Sequence, residues 1–121
     1  MTLQRRDSHS TEFGLWLRKQ KEIDSGLGFV ATNLDYIWRN YRTGNWMLIE
    51  EKRYMSNISF AQGQCFLIID RACRNESKYK GFHKIVFEKT SPDDGRTWLD
   101  DKEVTKRDIL DFLEFDERFF V

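Results

Sequence analysis

The stretch NWMLIEEKRY, residues 45–54, decides how the rest of this chain is interpreted. It opens with apolar residues in the rhythm of a β-strand and then places Glu50, Glu51, Lys52 and Arg53 in succession. Because side chains alternate between the faces of a strand, Glu50 and Lys52 share one face and Glu51 belongs to the other. The cluster is therefore either the solvated end of a strand or two separate pairs, one of which belongs to a site.

The preceding strand supplies a further carboxylate. The turn RTGN, residues 42–45, predicts a β-hairpin in which Asp35 lies opposite Lys52 and diagonal to Glu50, with the Cβ atoms of the two acids about 7–8 Å apart. A turn that differs by one residue places Asp35 opposite Glu51 instead. Two carboxylates beside an ammonium can hold a hard divalent cation such as Mg²⁺, which polarises a phosphate and activates water.

Length and composition favour one small domain. The chain has 121 residues, of which 40% are hydrophobic and 15% aromatic, enough for one core. No apolar run approaches the roughly 20 residues that a membrane span needs, and the first residues do not resemble a secretory signal. We therefore expect no membrane partner. Because Cys65 and Cys73 are too few for a disulfide framework, we also expect a cytoplasmic protein. We expect residues 1–9 to form a flexible tail and residues 10–121 a single domain.

The formal net charge of zero hides an uneven distribution. Residues 1–92 contain 15 Lys and Arg against 10 Asp and Glu, whereas residues 93–121 contain 5 against 10. This asymmetry allows a basic surface in the first three quarters of the chain and an acidic one in the last, as well as an ordinary mixed surface.

The spacing of apolar and turn residues predicts the element order α–β–β–β–α–β–β–α, an α/β fold with a central mixed sheet flanked by helices. Ser10 is predicted to cap the first helix, and residues 29–41 are predicted to be strand, in one piece or two. Ser59 and Gln62 form a capping-box pattern before the middle helix, whose run CFLII indicates deep burial. Further strands are predicted over residues 81–90 and 96–99, and Thr105 caps the last helix.

Three features follow one another along the chain: Asp35, then Glu50-x-Lys52 after a hairpin, then a helix that opens SFAQ. In this order they resemble the PD-(D/E)XK nuclease superfamily, whose core is restriction-endonuclease-like. The resemblance covers about residues 10–75. It implies that Asp35 and Glu50 bind a metal and that Lys52 positions the nucleophile. The arrangement S-x-x-Q is similar to that of the virus-type replication-repair nuclease branch, with the Holliday junction resolvases as a second branch to consider.

Two further positions follow from this resemblance. Glu12 stands where a helix of the superfamily adds a third acid to the metal site, and Gln62 matches a glutamine near the site that would contact the lysine, the water or the phosphate. Leu34 occupies the place of the motif's proline, which is a departure from the pattern. Without the resemblance, Glu12 is equally explained by the helix dipole and Gln62 by the capping box.

The expected function is therefore that of a nuclease using Mg²⁺ or Mn²⁺ on DNA, with RNA as the other substrate. Such a small chain is expected to work as a homodimer, to recognise a DNA structure or to serve a larger complex. One rival is a catalytically inactive nuclease-fold module that binds nucleic acid or protein. The other is an unrelated α/β interaction protein. Basic residues are expected to contact phosphates; they are Arg39, Arg42, Arg53, Lys78, Lys80 and Lys84.

Overall fold

The computed structural model describes residues 11–120 and groups the chain into two compact units, Met1–Ala31 and Thr32–Val121. In the first unit, α1 (Glu12–Lys19) is followed by two single 3₁₀ turns. The side-chain oxygen of Thr11 accepts a hydrogen bond from the backbone N–H of Gly14, so Thr11 is the N-cap. Ser10, the predicted cap, lies outside the described residues.

The second unit is built on one five-stranded mixed sheet. Along the sheet the strands follow the order β1-β2-β3-β4-β5; β2 and β3 are parallel, and the other neighbouring pairs are antiparallel. The elements are β1 (Tyr36–Arg39), β2 (Trp46–Lys52), α2 (Phe60–Cys73), β3 (Tyr79–Phe87), β4 (Thr97–Leu99), β5 (Lys102–Val104) and α3 (Lys106–Leu113), followed by a 3₁₀ turn over Glu117–Phe119. The predicted α/β class with a mixed sheet is confirmed.

The distribution of strands along the chain differs from the prediction. Residues 29–35 form no strand, although their β-branched and aromatic residues favour one, because propensity alone does not form a strand without a paired neighbour. The missing strand is instead β5, which follows β4 through Asp100 and Asp101, both with positive φ (48° and 72°). Such a two-residue turn usually carries Asn-Gly or Asp-Gly, so the two aspartates gave little signal.

One face of the sheet is closed by α3. A capping box of Thr105 and Asp108 starts this helix, which buries Ile109 and Phe112. The side chains of this core are apolar, and they come from three strands, from α3 and from the segment after it; they are Met47, Ile49, Ile85, Phe87, Leu99, Ile109, Phe112 and Phe115.

The other face of the sheet is covered by α2, which connects β2 to its parallel neighbour β3. The ring of Phe66 stacks on that of Phe82, with centroids 4.8 Å apart. Asp70 is also buried against the sheet, whereas Leu67 and Ile68 are exposed. The expectation of deep burial for CFLII was wrong, because Phe66 and Asp70, four residues apart, turn toward the sheet and the rest of the run faces away. None of the helices in residues 11–120 has the length and apolar character needed to cross a membrane.

Candidate active site

The hairpin register brings Asp35 level with Glu50. Tyr36 pairs with Ile49 and Ile37 with Leu48, which places the residue before β1 beside Glu50 and not beside Lys52. The predicted pairing was wrong by two residues, because the turn begins one residue earlier: the backbone N–H of Asn40 donates to the carbonyl of Asn45. A shift of two residues preserves the faces of the strand, whereas a shift of one would have exchanged them.

Asp35 is hydrogen-bonded to both Glu50 and Glu51. The backbone N–H of Asp35 donates to Glu50 Oε1 over 3.3 Å, and Asp35 Oδ2 accepts from the backbone N–H of Glu51 over 2.9 Å. The Asp35 carboxylate therefore replaces a backbone carbonyl in the ladder between the two strands. These two hydrogen bonds fix Asp35 just before β1, although Leu34 stands where the motif has a proline.

Glu50 is a buried carboxylate, with 3% of the residue exposed. Its Oε2 lies 3.3 Å from Lys52 Nζ. Burial raises the pKa of Glu50, the negative charge of Asp35 raises it further, and contact with Lys52 lowers it in part. A group that brings positive charge to Asp35 and Glu50 would relieve both unfavourable contributions.

Gln62 connects the strand to α2. Its Oε1 accepts from Lys52 Nζ over 3.0 Å and from the backbone N–H of Ser59 over 3.3 Å, while Ser59 Oγ accepts from the Gln62 backbone. The two interpretations of Gln62, capping box and site residue, thus involve one and the same oxygen atom. The helix cap holds that oxygen in place for the lysine.

The turn after β2 is strained and anchored. Tyr54 and Met55 have positive φ (53° and 58°), a conformation that costs about 1–3 kcal/mol per residue and occurs often at functional sites. Their backbone N–H groups donate to the carbonyls of Lys89 and Phe87, respectively, over 2.9 Å each. These bonds tie the end of the Lys52 strand to the end of β3. Sequence reasoning missed this feature, because no glycine or asparagine marks the two positions.

The predicted phosphate-binding residues do not form one patch. Arg39 pairs with Trp46 and Lys84 with Glu50, so both belong to the face that carries Glu50 and Lys52, but Lys84 Nζ lies 2.7 Å from Asp101. Arg42 lies in the β1–β2 turn, and the Lys78 side chain packs near Gly44 of that turn.

The remaining two basic residues are engaged elsewhere. Arg53 forms an ion pair with Glu51 over 3.1 Å. The register between β2 and β3 shifts at Gly81, whose φ is 102°. Lys80, the residue before Gly81, lines a cleft of about 350 Å³ together with Phe115 and Phe120. That cleft contains none of the proposed catalytic residues.

Glu12, the predicted third acid, is the first residue of α1 and lies in the unit that ends at Ala31. Across residues 11–120, no group of three or more His, Cys, Asp or Glu side chains is arranged to hold a metal ion. Within the second unit the structure brings Asp35 and Glu50 together.

No protein-family model, curated protein or solved structure matches this chain.

Proposed function

We propose that this chain is a metal-dependent nuclease with a restriction-endonuclease-like core, which hydrolyses phosphodiester bonds in DNA. The observation that carries the proposal is the arrangement around Lys52. Its ammonium lies between the buried Glu50 carboxylate and the Gln62 oxygen, with Asp35 hydrogen-bonded to Glu50 on the other side. A solvated strand end would not require a buried acid, a half-buried lysine and a helix cap to converge on one point.

The carboxylate pair fits a small hard cation. Mg²⁺ binds through one or two carboxylates and otherwise through water and phosphate oxygens, so it does not need a cage of protein ligands. Asp35 is exposed, and among the described residues no hydrogen bond to its Oδ1 is found. Asp35 and Glu50 would hold Mg²⁺ or Mn²⁺. Such a cation polarises the phosphate and the attacking water.

Lys52 has a donor to spare for the reaction. An ammonium carries three N–H groups, and within residues 11–120 two acceptors contact it, Glu50 Oε2 and Gln62 Oε1. The third N–H can bind a water or a non-bridging phosphate oxygen. In that position Lys52 orients the water, or takes its proton, and offsets the negative charge that develops on the phosphate.

A nucleic acid is the proposed substrate because Arg39 and Arg42 lie exposed at the far end of β1 and in the following turn. Charges along one strand and turn can bind the phosphates on either side of the scissile bond. DNA is the expected substrate, and RNA, which presents the same phosphates, is tested beside it.

A second candidate is a binding module with the same fold and no catalysis. It is favoured by the absence, among residues 11–120, of a three-acid group placed for a metal. Such a module would bind nucleic acid through the same arginines and would be indifferent to Mg²⁺.

The test is cleavage of plasmid, linear, branched DNA and RNA with Mg²⁺, Mn²⁺ or EDTA. We expect metal-dependent cleavage, and we expect Lys52→Ala to lower its rate by about 10²–10⁴-fold, the usual range for a positioned acid–base group. The matched control is Lys102→Ala, an exposed lysine on β5. Cleavage that persists in both Glu50→Ala and Lys52→Ala would exclude this site, and binding without cleavage would establish the second candidate.

A further inference from the structure

β1 has an edge that faces away from the rest of its sheet. Within the described residues β2 is its only strand neighbour. In an antiparallel pair, every second residue directs its backbone N–H and C=O groups toward the neighbouring strand. The backbone N–H of Asn40 donates to the carbonyl of Asn45, so Trp38 and Tyr36 also direct their backbone groups toward β2. The N–H and C=O groups of Ile37 and Arg39 therefore point outward, where they can pair with another strand.

Most side chains in and beside this edge strand are large, apolar and exposed, and the charged exceptions are Asp35 and Arg39. Ile37 is 70% and Tyr41 75% exposed, and Tyr36 and Trp38 are also exposed. Because alternate residues point to opposite faces, the edge is apolar on both faces of the sheet. An exposed edge strand with large apolar side chains favours pairing with another chain, and the two charges beside them, Asp35 and Arg39, are of opposite sign.

We propose that β1 pairs antiparallel with β1 of a second copy, about a twofold axis at Ile37, so that one sheet runs through both copies. In such a dimer the twofold axis is perpendicular to the sheet, and each residue must meet one that lies on the same face. The axis must therefore pass through a residue and not between two residues.

Charge selects the position of the axis. With the axis at Ile37, Asp35 lies opposite the partner subunit's Arg39, and Tyr36 lies opposite the partner subunit's Trp38. Both pairs are of the kinds that stabilise neighbouring strands, opposite charges and aromatic rings. An axis at Arg39 would place like charges opposite each other, and an axis at Trp38 would leave Asp35 without a cation.

This dimer has a consequence that rests on the proposed function. The partner subunit's Arg39 comes beside Asp35 and adds a positive charge next to the proposed metal-binding acids. The two sites open on the same face of the continuous sheet, with their Asp35 residues offset by roughly 13 Å along the strand direction. One nucleic acid could therefore contact both sites.

The register can be tested by cross-linking. In a Cys65→Ser, Cys73→Ser background, Ile37→Cys should form an intermolecular disulfide, because residues paired on the axis have Cα atoms about 5.5 Å apart, within disulfide range. In this register, position 36 lies opposite position 38 of the second copy and two residues away from the second copy's position 36. Tyr36→Cys should therefore form no disulfide between the two copies. Ile68→Cys, 66% exposed on α2, is the control for random collision.

A dimer at micromolar concentration in sedimentation velocity, with cross-linking confined to Ile37→Cys, is the expected result. A monomer at about 100 μM, or equal cross-linking of Ile37→Cys and Ile68→Cys, would overturn the proposal. Cross-linking of Tyr36→Cys in place of Ile37→Cys would overturn the register.

A charge exchange tests the same pairing independently. Arg39→Asp places like charges at two symmetric positions and should weaken the dimer by about tenfold. Adding Asp35→Arg should restore it, and failure of this rescue would contradict the charge pairing. Because the readout is association and not cleavage, a dimer that does not cleave DNA would refute the proposed function alone, and a monomer that cleaves would refute the dimer alone.

Discussion

The two faces of the sheet differ in the kinds of side chain that they bury. Under α3 the side chains are apolar, and Met47 and Phe112 are fully buried. Under α2 the same strand buries Glu50, and the helix itself buries Asp70. Each buried acid has hydrogen-bond partners, and no described buried side-chain polar atom lacks one. The α3 face thus buries an apolar core, whereas the α2 face buries two acids beside the apolar Leu48, Phe66 and Val86.

The helices α3 and α2 also differ in the side chains that they turn toward the sheet. α3 turns its apolar residues inward, as an amphipathic helix does when it completes a core. α2 turns Gln62 and Asp70 toward the sheet and leaves Leu67 and Ile68 exposed. Phe66 also faces the sheet and stacks on Phe82, so this side of α2 combines apolar and polar contacts. The orientation of α2 follows from its polar contacts with β2 and β3, among them the bond between Gln62 and Lys52.

The largest effect is expected on the α3 face. Phe112→Ala should lower the free energy of unfolding by about 3–5 kcal/mol, because Phe112 is fully buried and its removal leaves a cavity in the main core. Urea denaturation followed by circular dichroism measures the loss. Leu110→Ala, on the exposed side of the same helix, is the control and should change stability by about 0.5 kcal/mol at most. Equal losses for both variants would contradict the assignment of the core to this face.

A smaller effect is expected for the buried acid on the α2 face. Tyr79 donates to Asp70 over 2.6 Å, and Arg74 binds the other oxygen over 2.7 Å. Burial raises the pKa of Asp70, but the hydrogen bonds from Tyr79 and Arg74 lower it more, and the pKa lies below its ordinary value. Tyr79→Phe should cost about 1.5–3 kcal/mol at pH 7, the usual value for a hydrogen bond to a charged group.

The lowered pKa of Asp70 determines how this loss of stability depends on pH. A carboxyl group with a lowered pKa stabilises the fold fully above its unfolded pKa of about 3.9, and this stability is lost as the pH falls through the folded pKa. The difference between wild type and Tyr79→Phe should therefore shrink below pH 4 in urea titrations. A difference that is constant from pH 7 to pH 2 would mean that Asp70 is not the group involved.

The smallest effect is expected from the metal. At 10 mM Mg²⁺, a site with a Kd of about 1 mM stabilises the fold by about 1.4 kcal/mol, which corresponds to a rise in melting temperature of about 4–8 °C. Because the pKa of Glu50 is raised, its ionisation costs stability as the pH rises from the ordinary glutamate range through the folded pKa. The Mg²⁺ effect should accordingly be larger at pH 8 than at pH 4.

Two variants sharpen the Mg²⁺ measurement. Glu50→Gln should abolish the thermal shift, whereas Glu114→Gln, an exposed acid beyond α3, should retain it. An equal shift in wild type and Glu50→Gln would show that Mg²⁺ acts on the surface at large.

Much of the fold could be predicted from residue patterns. The alternation in NWMLIEEKRY separated Glu50 and Lys52 from Glu51, and the structure keeps this division. The capping boxes of Ser59 and Thr105 located the starts of α2 and α3, because such caps depend on residues close in sequence. Short-range physical chemistry was sufficient for these features.

The rest depends on contacts between distant residues. The pairing of Asp35 with Glu50 depends on where the β1–β2 turn closes, and the loop allows more than one hydrogen-bond pattern. The exposure of Ile68 depends on which side of α2 meets β3, and the run CFLII gives no direction. β5 was missed because a strand of three residues, two of them charged, has almost no periodicity.

The parallel pairing of β2 and β3 also sets an order for folding. The hairpin of β1 and β2 closes a short loop and can form on the microsecond scale. Lys52, however, meets Val86 only after the whole of α2 has been placed between the two strands. Contacts of such high sequence separation form slowly, because the entropy of loop closure is lost before any pairing compensates for it. Glu50 therefore remains hydrated through the early stages, and it enters the interior in the late step that brings Lys52 and Gln62 together.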